Sequence, residues 1–444
     1  MHGALLYNKG MKDSARSKRS LRKPLQLAEE YFNNLGPGLT TGAADDDPSG
    51  IGTYSQAGAQ FGFQLLWLSL FTFPFMSVVQ EMCARIGLVT GQGLAANIRK
   101  HYPRAVLYVL TILLFGANTL NIAADLGAMS ASAKLLFPHI SITGVLIVIA
   151  SVSLLLQIFT TYARYARFLK YTALALLAYV FTAFAVHIDW LAAIHSTVIP
   201  SITFSRDQIF LLCAILGTTI SPYLFFWQTS QEVEEDILKG EKTIAERKAA
   251  VNDEDITHMR LDVWTGMFAS NLIMFFIIAA CAATLHVAGI TSIATADQAA
   301  SAIRPFGGVL TYFFFALGII GTGFLAVPVL AGSTAYAISE SFGWKYGLYR
   351  KLKEAYAFYG VIIVSMILGI LANLVHLDPI KGLIYSAVAN GLVAPIVLFY
   401  IIRLSSNKKI MHNRKNHPVI AGLGWFITGL MLVSGVAAIA SLFI

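Results

Sequence analysis

Residues 36–52 read GPGLTTGAADDDPSGIG. Three successive aspartates, Asp45, Asp46 and Asp47, interrupt what otherwise reads as a first membrane helix. A charge at the middle of a bilayer costs roughly 2.5–3.5 kcal/mol even on the translocon scale, so an acid at that depth implies a function. Pro48 and Gly50 stand directly beside the acids. Proline removes a backbone donor and glycine relaxes the dihedrals, so the helix is expected to break and leave carbonyls free next to carboxylates. That combination suits a cation.

The rest of the chain supplies the membrane. Of 444 residues, 56% are hydrophobic and 13% charged, whereas soluble domains carry about 25% charged residues. Windows of about 20 apolar residues mark eleven spans, near 38–61, 63–87, 105–135, 141–159, 167–188, 208–230, 262–287, 308–338, 356–376, 381–403 and 419–443. An odd count puts the termini on opposite sides. With the N-terminus inside, nearly all of the 32 basic residues fall in cytoplasmic segments, leaving Lys134, Arg206, Arg304 and Lys381 outside. Retention of positive charge by cytoplasmic loops therefore predicts an N-in, C-out topology, compatible with a cell (inner) membrane. The net charge of +8 follows from that topology. No basic face is interleaved with aromatics, so nucleic acid is set aside as a partner.

The predicted organisation is a cytoplasmic tail over 1–34 and one all-α polytopic transporter domain over 35–444, with the lipid bilayer as its partner. The tail shows no apolar stretch ending in a cleavage site, so no signal peptide is expected. Cys83, Cys213 and Cys281 lie in apolar stretches without CxxC spacing, which indicates neither disulfides nor zinc. No cofactor is expected. Residues 231–261, QEVEEDILKGEKTIAERKAAVNDEDITHMRL, form the one long connection. Their mixed charge and helix-forming composition suit either a solvated cytoplasmic helix or a regulatory or gating loop.

Span six carries a second interruption, LGTTISPYLFFWQTS, with Gly217, Thr218, Thr219, Ser221 and Pro222 in its middle. Spans one and six each begin a group of five, and an odd group inverts the topology of the next. The repeats run over about 38–188 and 208–403, with an extra helix at about 419–443. Paired Gly/Pro-interrupted segments at corresponding positions of two halves point to a transporter site at the bilayer midplane. A kinked packed helix is the simpler reading of Pro222 alone; the partner break in span one disfavours it.

The two breaks offer oxygen. Asp47 supplies a carboxylate, unwound backbone near Gly50 and Thr218 supplies carbonyls, and Ser221 supplies a hydroxyl. Mg²⁺, Ca²⁺ and Mn²⁺ suit such ligands, whereas sulfur selects softer metals. Mg²⁺ also dehydrates reluctantly and keeps several waters, for which small residues leave room. Asp45 and Asp46 either line the aqueous approach or are neutralised by protonation. Asp125 in span three either relays protons or cation, or pairs with a buried polar group. Asn390 in span ten either faces the site or joins helices. Glu81 and Arg85 are expected to form an i,i+4 pair.

The stretch GPGLTTGAADDDPSGIGTYSQAGAQFGFQLLW resembles the first-helix signature of the Nramp family of divalent metal transporters, in which a GPG element precedes DPGN and QAGAxxGYxLLW follows. ARIGLVTGQGLAANIRKHYP is similar to the family's RLGxVTGxxLA segment, AADLGAMSASAKLL to its third helix, and GTTISPYLFFWQ stands in the place of its MPHN motif. The resemblance implies a LeuT-type fold, a 5+5 inverted repeat plus an eleventh helix, with metal held between unwound helices 1 and 6. The departures bear on the ion. Asp47 is retained, but Gly50 replaces the family's asparagine ligand and Ser221 its methionine. Tyr223 aligns with a histidine linked to proton movement, and Ala128 with an acid that follows the helix-three aspartate, itself retained as Asp125. These losses resemble the Nramp-related magnesium transporter branch, for which the resemblance implies a more hydrated ion and no tight proton coupling.

The expected function is therefore a secondary transporter of divalent metal cations by alternating access, with Mg²⁺ or Mn²⁺ favoured. A proton-coupled Mn²⁺/Fe²⁺ symporter, with protons as co-substrate, is the alternative within the fold. A sodium-coupled amino-acid symporter shares the fold, but three aspartates would repel a substrate carboxylate. Paired breaks disfavour a continuous channel. No nucleophile–base set, HExxH or phosphate loop suggests an enzyme.

Overall fold

The computed structural model describes residues 36–160, 162–203, 205–293, 296–374 and 379–441. The tail expected over 1–34 lies outside them. Every regular element among the described residues is a helix. In chain order these are α1 (Pro37–Asp45), α2 (Pro48–Phe61), α3 (Trp67–Thr90), α4 (Leu94–His101), α5 (Arg104–Leu136), α6 (Ile142–Phe159), α7 (Tyr162–Thr172), α8 (Leu177–Ala185) and α9 (Trp190–Val198). They continue with α10 (Arg206–Thr219), α11 (Pro222–Leu238), α12 (Ile244–Ala250), α13 (Asp253–Cys281), α14 (Ala296–Phe342), α15 (Tyr356–Leu374), α16 (Pro379–Ser405) and α17 (Pro418–Ser441).

Helices stand at all eleven expected places, but fewer pass as unbroken spans. Among the described residues nine are long and apolar enough to cross a membrane, or ten if Pro48–Leu65 and Trp67–Thr90, bent by 106°, count as one. The chain is a multi-pass integral membrane protein. For the first span the shortfall has a geometric cause: α1 has 9 residues and α2 has 14. At about 1.5 Å per residue neither reaches across a hydrocarbon core of about 30 Å.

Small residues bring the broken helices close to their neighbours. A Cβ on Gly42 would lie 2.3 Å from the Gly266 carbonyl oxygen, and one on Gly38 would lie 2.5 Å from the Val263 amide nitrogen. Gly38 and Gly42 are one turn apart, so α1 lays a glycine face on the backbone of α13. Lipid gives no hydrophobic drive between helices, and such close approach lets dispersion hold them. The same device recurs at α10, where a Cβ on Gly217 would lie 2.0 Å from the Ala387 carbonyl of α16. Asp262 of α13 completes the seat of α1 by accepting from the Gly38 amide at 2.6 Å and the Leu39 amide at 3.1 Å. These are two of the first-turn donors that a helix start leaves unpaired.

The stretch 231–261 is largely helical, exposed over most of its length but buried at its start. Helix α11 runs on to Leu238 and buries Gln231, Glu232, Glu234 and Asp236. Capping boxes then start α12 at Thr243 and α13 at Asn252. Burial of Glu234 is compensated by donors far along the chain, the amides of Leu348 at 2.7 Å and Tyr349 at 3.1 Å. Glu81 and Arg85 do pair, at 3.6 Å. Glu81 also receives Arg260 at 3.0 Å and the Trp264 indole at 2.9 Å, so the pair is part of a junction between α3 and α13.

Candidate functional site

Both interruptions are built alike. At the first, α1 ends at Asp45 and Asp47 takes extended backbone (φ −67°, ψ 169°), with its Oδ1 accepting from the Gly50 amide at 2.7 Å. At the second, α10 ends at Thr219 and Ser221 is extended (φ −83°, ψ 131°) before Pro222. Each new helix thus starts on a cap residue followed by proline at the first helical position, where the missing donor is no loss. The caps differ in one respect. Ser221 makes no cap bond and its hydroxyl turns back to the carbonyls of Gly217 at 2.8 Å and Thr218 at 2.7 Å.

The breaks touch. A Cβ on Gly50 would lie 3.1 Å from the Asp45 carbonyl oxygen and 3.2 Å from Thr218 Oγ1, so glycine lets the two interruptions close on each other. Four half-helix ends meet there. The C-terminal ends of α1 and α10 present carbonyls and partial negative charge, while the N-terminal ends of α2 and α11 present partial positive charge. The Asp47 carboxylate covers the α2 end, which leaves a net negative focus.

Besides α2, which it caps, Asp47 is held from two further elements, α5 and α11. Its Oδ2 accepts from Asn121 Nδ2 of α5 at 2.8 Å, and the Tyr223 hydroxyl of α11 lies 3.4 Å away. Tyr223 donates to the Ala44 carbonyl at 2.8 Å. Asn121 in turn accepts from Ser386 of α16 at 2.7 Å. Asp125 lies one turn beyond Asn121, buried, beside Asp47 and the Ser49 amide. Asn390 lies one turn beyond Ser386, and both its amide atoms are buried and unpartnered. Asp47, Gly50, Thr218, Ser221, Tyr223 and Asp125 are thus one cluster, joined through Asn121 and Ser386 to α16.

For Asp45 and Asp46, burial bears on the two readings left open by the sequence. Both are fully buried, so neither lines an aqueous approach in this conformation. Asp45 accepts from Ser270 of α13 at 3.0 Å. Asp46 has both oxygens unpartnered and lies within electrostatic reach of Tyr179. The helix ends at Asp45 and Asp47 is already extended, so the chain turns between them and the carboxylates meet different helices. Among the described residues no three His, Cys, Asp or Glu side chains converge to hold an ion. Asp47 therefore offers one carboxylate among neutral hydroxyl, amide and carbonyl oxygens.

Asn121, Ser386 and Asp262 did not stand out in the sequence. The first two had a faint signal, since Asn121–Asp125 and Ser386–Asn390 are polar pairs spaced by four within apolar helices, hence on one face. Asp262 had none.

The family model described as "Nramp: Natural resistance-associated macrophage protein-like" matches residues 38–441. A relative from Klebsiella pneumoniae subsp. pneumoniae, the divalent metal cation transporter MntH, is 26% identical over 406 residues, covering 90% of this chain and 91% of its own. The protein of that name from Mesorhizobium japonicum is 28% identical over 422 residues, covering 90% and 87%. Among solved structures, an Eremococcus coleocola manganese transporter in complex with an aromatic bis-isothiourea substituted compound superposes with TM-score 0.73 at 16% identity, over 95% of this chain and 89% of that one. Mhp1, a nucleobase-cation-symport-1 family transporter in a closed conformation, shares the fold with TM-score 0.55 at 14% identity, over 91% and 90%.

Proposed function

The chain belongs to the Nramp family, and we propose that it carries divalent metal cations across the membrane by alternating access, with Mg²⁺ favoured and Mn²⁺ close behind. Its fold is of the LeuT type, two inverted groups of five helices and an eleventh. The observation that carries the reading is the Asp47 carboxylate between two contacting helix breaks, with hard oxygen donors around it. Asp47 is the ion's charged ligand, and Thr218, Ser221 and the backbone beside Gly50 contribute neutral oxygens, directly or through retained water. The relatives named as metal cation transporters and the manganese transporter of the same fold support a divalent ion. Preference for Mg²⁺ rests on chemistry: the cluster holds no sulfur or imidazole, and serine and glycine leave room for water. Because Asp47, Thr218 and Ser221 are all buried, an ion reaches them when helices part on one side at a time.

The same reading places residues 35–444 in one transport domain, with the N-terminus in the cytoplasm and the C-terminus outside. Asp125, buried beside Asp47, keeps a proton route open as the second reading. Purified protein in vesicles loaded with ion-sensitive dyes distinguishes these. Uptake of Mg²⁺ and of Mn²⁺, each competing with the other, is expected. Mn²⁺ uptake that a large excess of Mg²⁺ leaves untouched would overturn the magnesium preference, and absence of any divalent uptake would overturn the function. Acidification of the vesicle interior during uptake would establish proton coupling.

A further inference from the structure

Away from the helix breaks, a cavity of about 370 Å³ opens on the face that carries α12 and the segment after α14, the face assigned to the cytoplasm above. That volume lies in the range of small-molecule sites. Four cations line it, Lys242, Arg247, Lys345 and Arg350. Arg247 is 6% exposed, yet no carboxylate lies within ion-pair distance of it among the described residues. Its guanidinium is held by carbonyls instead: Nε donates to Gly91 at 3.0 Å, and Nη1 to Glu241 at 3.1 Å and Lys242 at 3.0 Å. The bonds to carbonyls engage Nε and Nη1, and the residue lines the cavity. Burying a guanidinium without a counter-charge is expensive, which gives an incoming anion a favourable place.

Two carboxylates also line the space, Glu234 and Glu340. Both are turned to donors of the protein itself. Glu234 takes the Leu348 and Tyr349 amides and the Tyr336 hydroxyl, and Glu340 takes the Ala96 amide at 3.0 Å and Ser230 at 3.2 Å. Four cations against two carboxylates leave an excess of two positive charges. Arg350 is oriented by its bond to the Tyr346 carbonyl at 3.2 Å and stands 4.8 Å over the Tyr349 ring.

We propose that this cavity binds a phosphate-bearing anion, whose dianionic head is held by Arg247 with Lys242, Lys345 and Arg350 around it. A phosphate suits the set because its oxygens accept the guanidinium fork and its two charges match the excess. The occupant spans α11, α12 and the segment after α14. Since α11 also starts at Ser221, occupancy bears on the half-helix that shapes the ion site. The binding itself does not depend on which ion is carried.

The test uses full-length protein in phosphatidylcholine nanodiscs. Inorganic phosphate and chelator-treated ATP are titrated by calorimetry, and thermal unfolding is compared in nanodiscs with and without phosphatidic acid, a lipid phosphomonoester. Saturable binding of one equivalent of phosphate or ATP is expected, weakened about tenfold in the double variant Lys242→Ser/Lys345→Ser. Both lysines are exposed, so the variant is expected to fold, and Arg350→Gln provides an independent check. Stabilisation by phosphatidic acid alone, lost in the same variants, would identify the phosphate as a lipid headgroup. No saturable response to any of the three probes, or a response the variants leave unchanged, would overturn the proposal.

Discussion

Asp47 has two tasks, and substitutions can separate them. It caps α2 through the Gly50 amide, and in the proposed function it meets the ion. Asp47→Asn keeps an acceptor for the cap while removing the charge. We expect it to abolish metal uptake while leaving thermal stability near wild type. Asp47→Ala removes both, so uptake is again lost and the cap costs a further 0.5–2 kcal/mol or so, read as a lower unfolding temperature. Wild-type uptake in the Asn variant would remove the carboxylate from the ion's path. Ser221→Met is the complementary change. The hydroxyl turned to Gly217 and Thr218 would be replaced by a polarisable sulfur, which favours softer ions. Competition by Cd²⁺ in the vesicle assay should strengthen, and an unchanged profile would mean that residue 221 does not face the ion. Asp47 and Ser221 were legible in the sequence because acid, serine, proline and glycine act through local backbone chemistry. Asn121 was not, because its bond to Asp47 joins residues 74 positions apart.

At the scale of elements, half-helix α1 is too short to stand alone and is held by α13. Its glycine face lies on Gly266, and its first amides end on Asp262. Gly42→Ala drives a methyl group to 2.3 Å from a backbone carbonyl, where no side chain can yield. We expect a loss of stability of roughly 1–3 kcal/mol, the usual range for overpacking. Gly116→Ala is the control, since nothing lies within 4 Å of the added Cβ and the unfolding temperature should hold or rise slightly. Equal effects of the two substitutions would show that the α1–α13 contact is not tight. The position of this break was legible in the sequence, but its seat was not. Asp262 stands at the start of the apolar span that follows the mixed-charge stretch, and its acceptor role exists only because α1 starts beside it.

For the whole molecule, orientation is the property to measure. The three cysteines, Cys83, Cys213 and Cys281, are buried, so the folded protein should not react with a membrane-impermeant maleimide. Against that silent background Lys248→Cys and Ser201→Cys, both at exposed positions, should label from opposite sides. Labelling of Ser201→Cys from outside and of Lys248→Cys from the cytoplasm is expected, and the reverse would invert the topology. The sequence by itself determined that the chain crosses the membrane many times, where the helices lie, and that spans one and six are broken. Hydropathy over about 20 residues and proline–glycine chemistry are local and need no partner. The tertiary structure alone decided where each polar group points. Asp47 turns to Asn121 and Tyr223 while Asp45 turns to Ser270, and Glu234 and Glu232 are buried at a helix end that read as solvated. A polar atom within a membrane protein must find its partner across the bundle, and that partner lies on a helix whose nearness no single stretch of sequence encodes.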